Sequence, residues 1–317
     1  MKLTLAALAT LAVAVLSLFV GVSDVTPASI LNDDRAAQVF LASRLPRTLA
    51  LVLAGTSMAV AGLVMQMIVR NRFVEPSTAG TTESAGLGLL IVTIFAPGWP
   101  LMAKMAVAAV FALAGTALFL RILRMVPLRD VLLVPLVGIM LGGIIGAVTT
   151  FFAYRFELLG SLNAWTMGDF SGVLRGRYEL LWIGGVLAVL AYLAADRLTV
   201  AGMGRDFTVN LGMNYRAAVV LGLVIVALVS AVVLVSVGAI PFLGLIVPNI
   251  VSMAIGDNMR RSVPWVAITG AAFVLVCDII GRTLRYPYEI PISMVVGVVG
   301  AAMFLMLLLR SRDHARA

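Results

Sequence analysis

Long apolar runs separated by brief polar breaks cover the chain from end to end. A helix needs about 20 apolar residues to cross a bilayer. Ten stretches meet or approach that length, at about 3–22, 47–69, 79–96, 101–120, 131–153, 178–196, 217–236, 239–255, 264–282 and 290–309. The predicted fold is all-α and integral to a membrane, with about ten transmembrane helices in a single domain over 1–317. No break between the runs is long enough for an independent soluble domain. The first run follows Lys2, exceeds the usual core of a signal peptide, and is not followed by a small-x-small cleavage site, so it is expected to remain as a true span. A short piece from Asn163 to Val173 is expected to be a partial helix ahead of the sixth span. Between the seventh and eighth spans, Gly238, Pro241, Gly244 and Pro248 crowd together. Proline removes a backbone donor, and a broken helix at membrane depth survives only when buried in protein or beside a water-filled cavity. The stretch reads either as a tight turn with a kink or as part of a pathway or partner surface.

Composition makes lipid the solvent. Hydrophobic residues are 62% of the chain, charged ones only 12%, and the mean hydropathy is +1.10. A soluble domain carries about 25% charged residues. The net charge of +8 does not point to nucleic acid, because the bases are scattered between apolar spans. They serve orientation and contact with anionic membrane lipids. With the N-terminus inside, the cytoplasmic side holds 14 Lys and Arg and the outer side nine, so both termini are expected in the cytoplasm.

Candidate chemistry is sparse. The single cysteine, Cys277, and single histidine, His314, provide neither a disulfide nor a His/Cys metal site. Sixteen scattered methionines read as packing and lipid contact. HExxH and GxSxG are absent. Asp278 and Arg282 lie four residues apart on one helical face and read as an ion pair at the outer membrane edge. Ion-coupled transporters place ionisable groups deep in their spans. Here Glu83, Glu157 and Asp169 lie near span ends. A Walker A loop ends in Gly-Lys-Ser/Thr, and neither Lys2 nor Lys104 sits in one, so energy for transport must come from a separate subunit.

Four strings then carry a resemblance. They are Arg44-Leu-Pro-Arg47-Thr-Leu-Ala with Gly62, Gln66 and Asn71 after it; Gly238-Ala-Ile-Pro-Phe-Leu-Gly-Leu-Ile-Val-Pro248-Asn; Asp278-Ile-Ile-Gly-Arg282; and Glu289-Ile-Pro291-Ile before Gly297. In order and spacing, from about 44 to 309, they resemble the FecCD-like permease family of ABC importers for iron-siderophores, haem and cobalamin. The resemblance implies the ABC type II importer permease fold in a bacterial inner membrane. It implies a second permease copy or paralogue, ABC ATPase subunits on the cytoplasmic side, and a periplasmic siderophore-binding protein that delivers a ferric siderophore. No cofactor is expected on this chain; ATP-Mg belongs to the partner ATPase. The alternatives are a haem or cobalamin permease of the same family or, from other classes, an ion-coupled secondary transporter or an intramembrane enzyme.

The resemblance also assigns residues. Arg44, Arg47 and Arg282 match the outer-mouth arginines that receive acidic residues of the binding protein. Gly204, Arg205, Asp206, Leu211 and Gly212 match the segment that couples to the ATPase, a polar stretch long enough for two short helices. Asn71 and Phe73 match the cytoplasmic gate, with Arg72 where the family has proline. Thr149 and Thr150 match the path-lining fifth helix. Pro248-Asn-Ile-Val-Ser252 stands where the family commonly has Pro-His-Ile-x-Arg, and Thr81-Thr-Glu83-Ser84 replaces a Gly-Val-Ser-x turn. Both departures resemble a branch associated with iron-siderophore uptake and argue against cobalamin.

Overall fold

A computed structural model describes residues 2–21, 26–125 and 133–314. Val22, Val131 and Leu132, at the edges of the first and fifth predicted spans, and Arg129 and Arg316 lie outside the described residues. The described chain is helical, with one isolated bridge, between Met167 and Ala239, and no strand. In lipid every backbone polar group must be satisfied within the protein, which leaves the helix as the element available to a single spanning segment.

The helices in chain order begin with α1 (Lys2–Phe19), α2 (Pro27–Asn32), α3 (Asp34–Val39) and α4 (Leu45–Val69). Next come α5 (Thr81–Phe95), α6 (Leu101–Met125), α7 (Leu133–Arg155) and α8 (Leu159–Thr166). The chain continues through α9 (Leu181–Leu193), α10 (Ala195–Gly202), α11 (Arg205–Asn210) and α12 (Tyr215–Val237). It closes with α13 (Leu243–Ile255), α14 (Met259–Thr283) and α15 (Ile292–His314). Among the described residues, six helices are long and apolar enough to cross a membrane, and α9 with α10, bent by 66°, makes a seventh if counted as one span.

α4 is the central post. Nineteen of its 25 residues are buried, and α14, α9, α13 and α12 all pack on it. Close approach explains the small residues. A Cβ added to Gly55 would stand 2.7 Å from the Gly270 carbonyl oxygen on α14. One added to Gly62 would stand 2.1 Å from the Gly244 carbonyl oxygen on α13. With no hydrophobic drive between helices in lipid, such close contact supplies the packing energy. α1, by contrast, lies on the outside of the bundle against α14 and α4.

Two prolines free carbonyls that distant residues then claim. Pro46 has no N–H, so Ala42 loses its helical donor. The chain widens there into a π-helical turn over Phe40–Arg44, and the N–H of Arg175 donates to the Ala42 oxygen at 3.0 Å. The helix into α4 therefore runs on from Asp34, well before the predicted start at 47. Pro248 likewise frees the carbonyl of Gly244, and Gln66 Nε2 donates to it at 3.2 Å. The predicted partial helix at 163–173 is instead α8, which starts at Leu159 and ends at Thr166, followed by turns.

The ends of the bundle are fixed by contacts between segments distant in sequence. Residues 17–20, 44–47 and 278–289 meet at one end, here the far end. Lys2, the turns after α4 and α10, and the start of α14 lie at the opposite, near end.

Candidate functional site

The near-end assembly is built from the loop 70–80 and the short helix α13. α4 stops at Arg70, which takes a left-handed conformation (φ 54°), and the chain turns back into the bundle. Asn71 is buried, and its Oδ1 accepts from the N–H of Phe73 at 2.8 Å. The Phe73 ring meets Phe304 of α15 edge-on, with centroids 6.0 Å apart. Asn249 Nδ2 donates to the Arg72 carbonyl at 2.8 Å and to the Leu245 carbonyl at 2.7 Å. Arg72 also pairs with Asp257 at 2.7 Å, and Ser252 donates to the same Asp257. Loop 70–80 and α13 are thus joined along their length.

Sequence reasoning missed the residue at the centre of this assembly. Glu75 is fully buried, and its Oε1 accepts from the N–H of Phe242 at 2.9 Å and from Ser77 Oγ at 2.6 Å. Phe242, in the left-handed region at φ 62°, precedes α13, whose first N–H groups have no intrahelical partner. A carboxylate there meets both the orphan donors and the positive end of the helix dipole. Glu75 Oε2 has no hydrogen-bond partner among the described residues. The available signal was an acid beside Pro76 in a break between apolar runs. Glu75→Ala should cost about 1–3 kcal/mol, because it strands the Phe242 donor in the interior. Glu75→Gln keeps an oxygen in reach and should cost less. Thermal unfolding of the purified chain in detergent reads both, and equal losses would contradict the capping role.

Next to the loop stand two short helices, α10 and α11; the segment holding Gly204, Arg205, Asp206, Leu211 and Gly212 contains the second of them. Gly204 separates them at φ 115°, a conformation L side chains rarely adopt. Thr208 fixes the corner by donating to the carbonyls of Gly204 at 2.6 Å and Val200 at 3.0 Å. Phe207, Val209 and Leu211 remain about half exposed around it. Arg205, Asp206 and Gly212 are exposed beside them.

At the far end Arg44, Arg47 and Arg282, matched to the outer mouth, come together and are buried. Arg47 forks between Asp278 and Glu289, at 2.7 Å to each. Arg282 pairs with Asp278, as its i,i+4 spacing implied, and donates to the carbonyls of Ser17 and Val20 at 3.0 and 2.7 Å. Arg44 donates to the Val20 carbonyl at 2.6 Å. The reason for the burial is partners that sequence does not place nearby: Asp278 lies 231 residues and Glu289 242 residues from Arg47. Among the described residues, Asp278 and Glu289 are the carboxylates that pair with Arg47 and Arg282. Glu289 forms the more open rim of the cluster, with its side chain one-quarter exposed.

The two threonines of α7 part company. Thr149 is buried and donates to its own helix at the Ile145 carbonyl, 2.8 Å away, whereas Thr150 is exposed. Adjacent helical residues point about 100° apart, so the two hydroxyls face different surroundings. Among the described residues, no group of three or more His, Cys, Asp or Glu could hold a metal ion.

Comparison with known proteins places this architecture. The chain is 47% identical over 317 residues to the petrobactin import system permease protein YclN of Bacillus subtilis (strain 168), covering 99% of this chain and 100% of that protein. It is 40% identical to the ferric-anguibactin transport system permease protein FatD of Vibrio anguillarum (strain ATCC 68554 / 775), over 88% of each chain. Its fold superposes on an inward-facing structure of a metal-chelate type ABC transporter with a TM-score of 0.80, at 27% identity and covering 98% of both chains. The FecCD transport family matches residues 9–310, and the chain belongs to that family.

Proposed function

We propose that this chain is the membrane-spanning permease subunit of a binding-protein-dependent ABC importer, and that it moves a ferric siderophore across the bacterial inner membrane. The observation that carries this reading is whole-length similarity at 47% identity to a petrobactin permease. Six long helices, the bent α9–α10 pair and the three shorter apolar helices at 81–95, 243–255 and 292–306 together make the ten spans of the importer fold. They form one membrane domain with the near end and both termini in the cytoplasm. A second permease copy or paralogue completes the path, and the ATP-Mg site belongs to the partner ATPase.

In this reading the stretch from Gly204 to Gly212, with α11 at its centre, is the coupling segment. The exposed Phe207, Val209 and Leu211 suit a helix-in-groove contact with the ATPase, flanked by Arg205 and Asp206 and hinged at Gly204 and Gly212. Loop 70–80, with Asn71 and Phe73, closes the cytoplasmic side, and its bonds to α13 make the two move together. Thr150 serves the path, and Thr149 holds its helix. The binding protein docks at the far end over Arg44, Arg47 and Arg282. Charge pairing in such docking steers encounter and fixes register more than it adds affinity.

The coupling assignment is tested by Leu211→Asp. A charge on the half-exposed apolar face should reduce uptake of radiolabelled ferric siderophore by whole cells at least tenfold, with the amount of chain in the membrane unchanged. Undiminished uptake in that variant would contradict it.

A further inference from the structure

A cavity of about 880 Å³ opens at the near end between α6, α11 and α12. That size falls within the roughly 300–1,000 Å³ of ordinary ligand pockets. Its walls are of two kinds. Leu120 on α6 and Val220 and Leu223 on α12 give an apolar slot within the spanning helices. Arg121, at the same end of α6, Arg205, at the start of α11, and Arg216, at the start of α12, ring the polar mouth. All three arginines are exposed, and none has a carboxylate partner among the described residues. Among the described residues, no Asp or Glu lines the cavity.

Three guanidiniums gathered at the membrane edge, without a carboxylate partner among the described residues, suit an anion. The apolar slot beneath them runs along spanning helices, so the anion's other end must be hydrocarbon. We propose that this cavity binds one anionic phospholipid of the adjacent leaflet, its phosphate held by Arg121, Arg205 and Arg216 and an acyl chain lying in the slot against Leu120, Val220 and Leu223. Guanidinium forks match phosphate oxygens in geometry as well as charge. Basic pockets between spanning helices on the cytoplasmic side hold anionic headgroups by the same physics. A soluble anion would use the mouth and leave the slot empty; an acidic protein loop could not enter a slot within the bilayer. The site rests on the membrane placement of the helices and is independent of what the chain transports. Its position beside α11 sets a lipid against the segment proposed to meet the ATPase.

The test uses the full chain purified in detergent and titrated with phosphatidylglycerol or with phosphatidylcholine of the same acyl chains. Bound lipid is counted by native mass spectrometry. Phosphatidylglycerol should be retained preferentially, and the double variant Arg121→Gln/Arg216→Gln should lower that retention at least tenfold while leaving phosphatidylcholine unaffected. Val220→Trp, which fills the slot and keeps every charge, should also expel phosphatidylglycerol, and it carries the test if the double variant fails to fold. Inorganic phosphate in excess should not displace the lipid. Retention unchanged in both variants would overturn the proposal. So would displacement by inorganic phosphate, which would make this a free-anion site. A double variant that keeps its lipid but no longer retains the ATPase would mark the arginines as a protein interface and would equally overturn it.

Discussion

Arg47→Ala is expected to destabilise the chain by about 3–5 kcal/mol, because it strands Asp278 as a buried, half-neutralised charge. The Arg47 guanidinium spans Asp278 and Glu289, at 2.7 Å to each, and it thereby ties the start of α4 to the end of α14 and the approach to α15. Arg47→Lys retains the charge but places one ammonium where a planar fork served two carboxylates, so an intermediate loss is expected. The thermal midpoint of the purified chain in detergent reads the effect. Asp278→Ala combined with Arg47→Ala should cost clearly less than the two single losses added together, since residues in one ion-pair network are coupled. Additive losses would mean that the two side chains do not act as a pair. The same geometry warns against reversing Arg47 to probe binding-protein docking. A glutamate there would face two native carboxylates, and lost uptake would report a broken fold. Glu289→Gln at the half-open rim is the cleaner probe of docking.

Gly62→Val should be as damaging, by more than about 3 kcal/mol, through backbone overlap instead of charge. A Cβ at 62 would lie 2.1 Å from the carbonyl oxygen and 2.3 Å from the Cα of Gly244. Neither is the tip of a flexible side chain, so α4 and α13 must separate. Separation would carry the Gly244 carbonyl away from Gln66 Nε2, now 3.2 Å distant, and Pro248 leaves that carbonyl no helical donor to fall back on. It would also draw Phe242 from Glu75. Reduced yield of folded chain and a lowered thermal midpoint are the expected readouts. Gly86, whose added Cβ would meet nothing within 4 Å, is the control: Gly86→Ala, inside α5, should not destabilise, and helix propensity favours it by up to about 1 kcal/mol. A Gly62 variant as stable as wild type would mean that α4 and α13 pack further apart than described.

What the sequence made legible follows from how local each signal is. Apolar runs place helices because hydropathy needs no partner. Asp278 and Arg282 were readable as a pair because helix geometry alone brings them together. The two short helices around Gly204 were readable from a polar stretch of the right length. Partners across the fold were not. Nothing near Glu75 announces Phe242, 167 residues on, and nothing near Arg47 announces Asp278. The burial of Arg44 and Arg47 therefore had no local signal. The bend between α9 and α10 falls at Ala194, with neither Pro nor Gly beside it, and has no signal in the sequence. The helical run through Pro46 escaped for a different reason: proline there reads as a first-turn residue, and only the π turn and the distant Arg175 donor allow the helix to pass through it.

The central claim is that the chain works as the permease of an ATP-driven importer. Gentle affinity purification of the tagged chain from its native membranes, with co-purifying proteins identified by mass spectrometry, tests it most directly. The account predicts an ATPase with a Walker A loop in stoichiometric yield. A chain recovered alone in several mild detergents, yet moving ferric siderophore into liposomes without ATP, would contradict it.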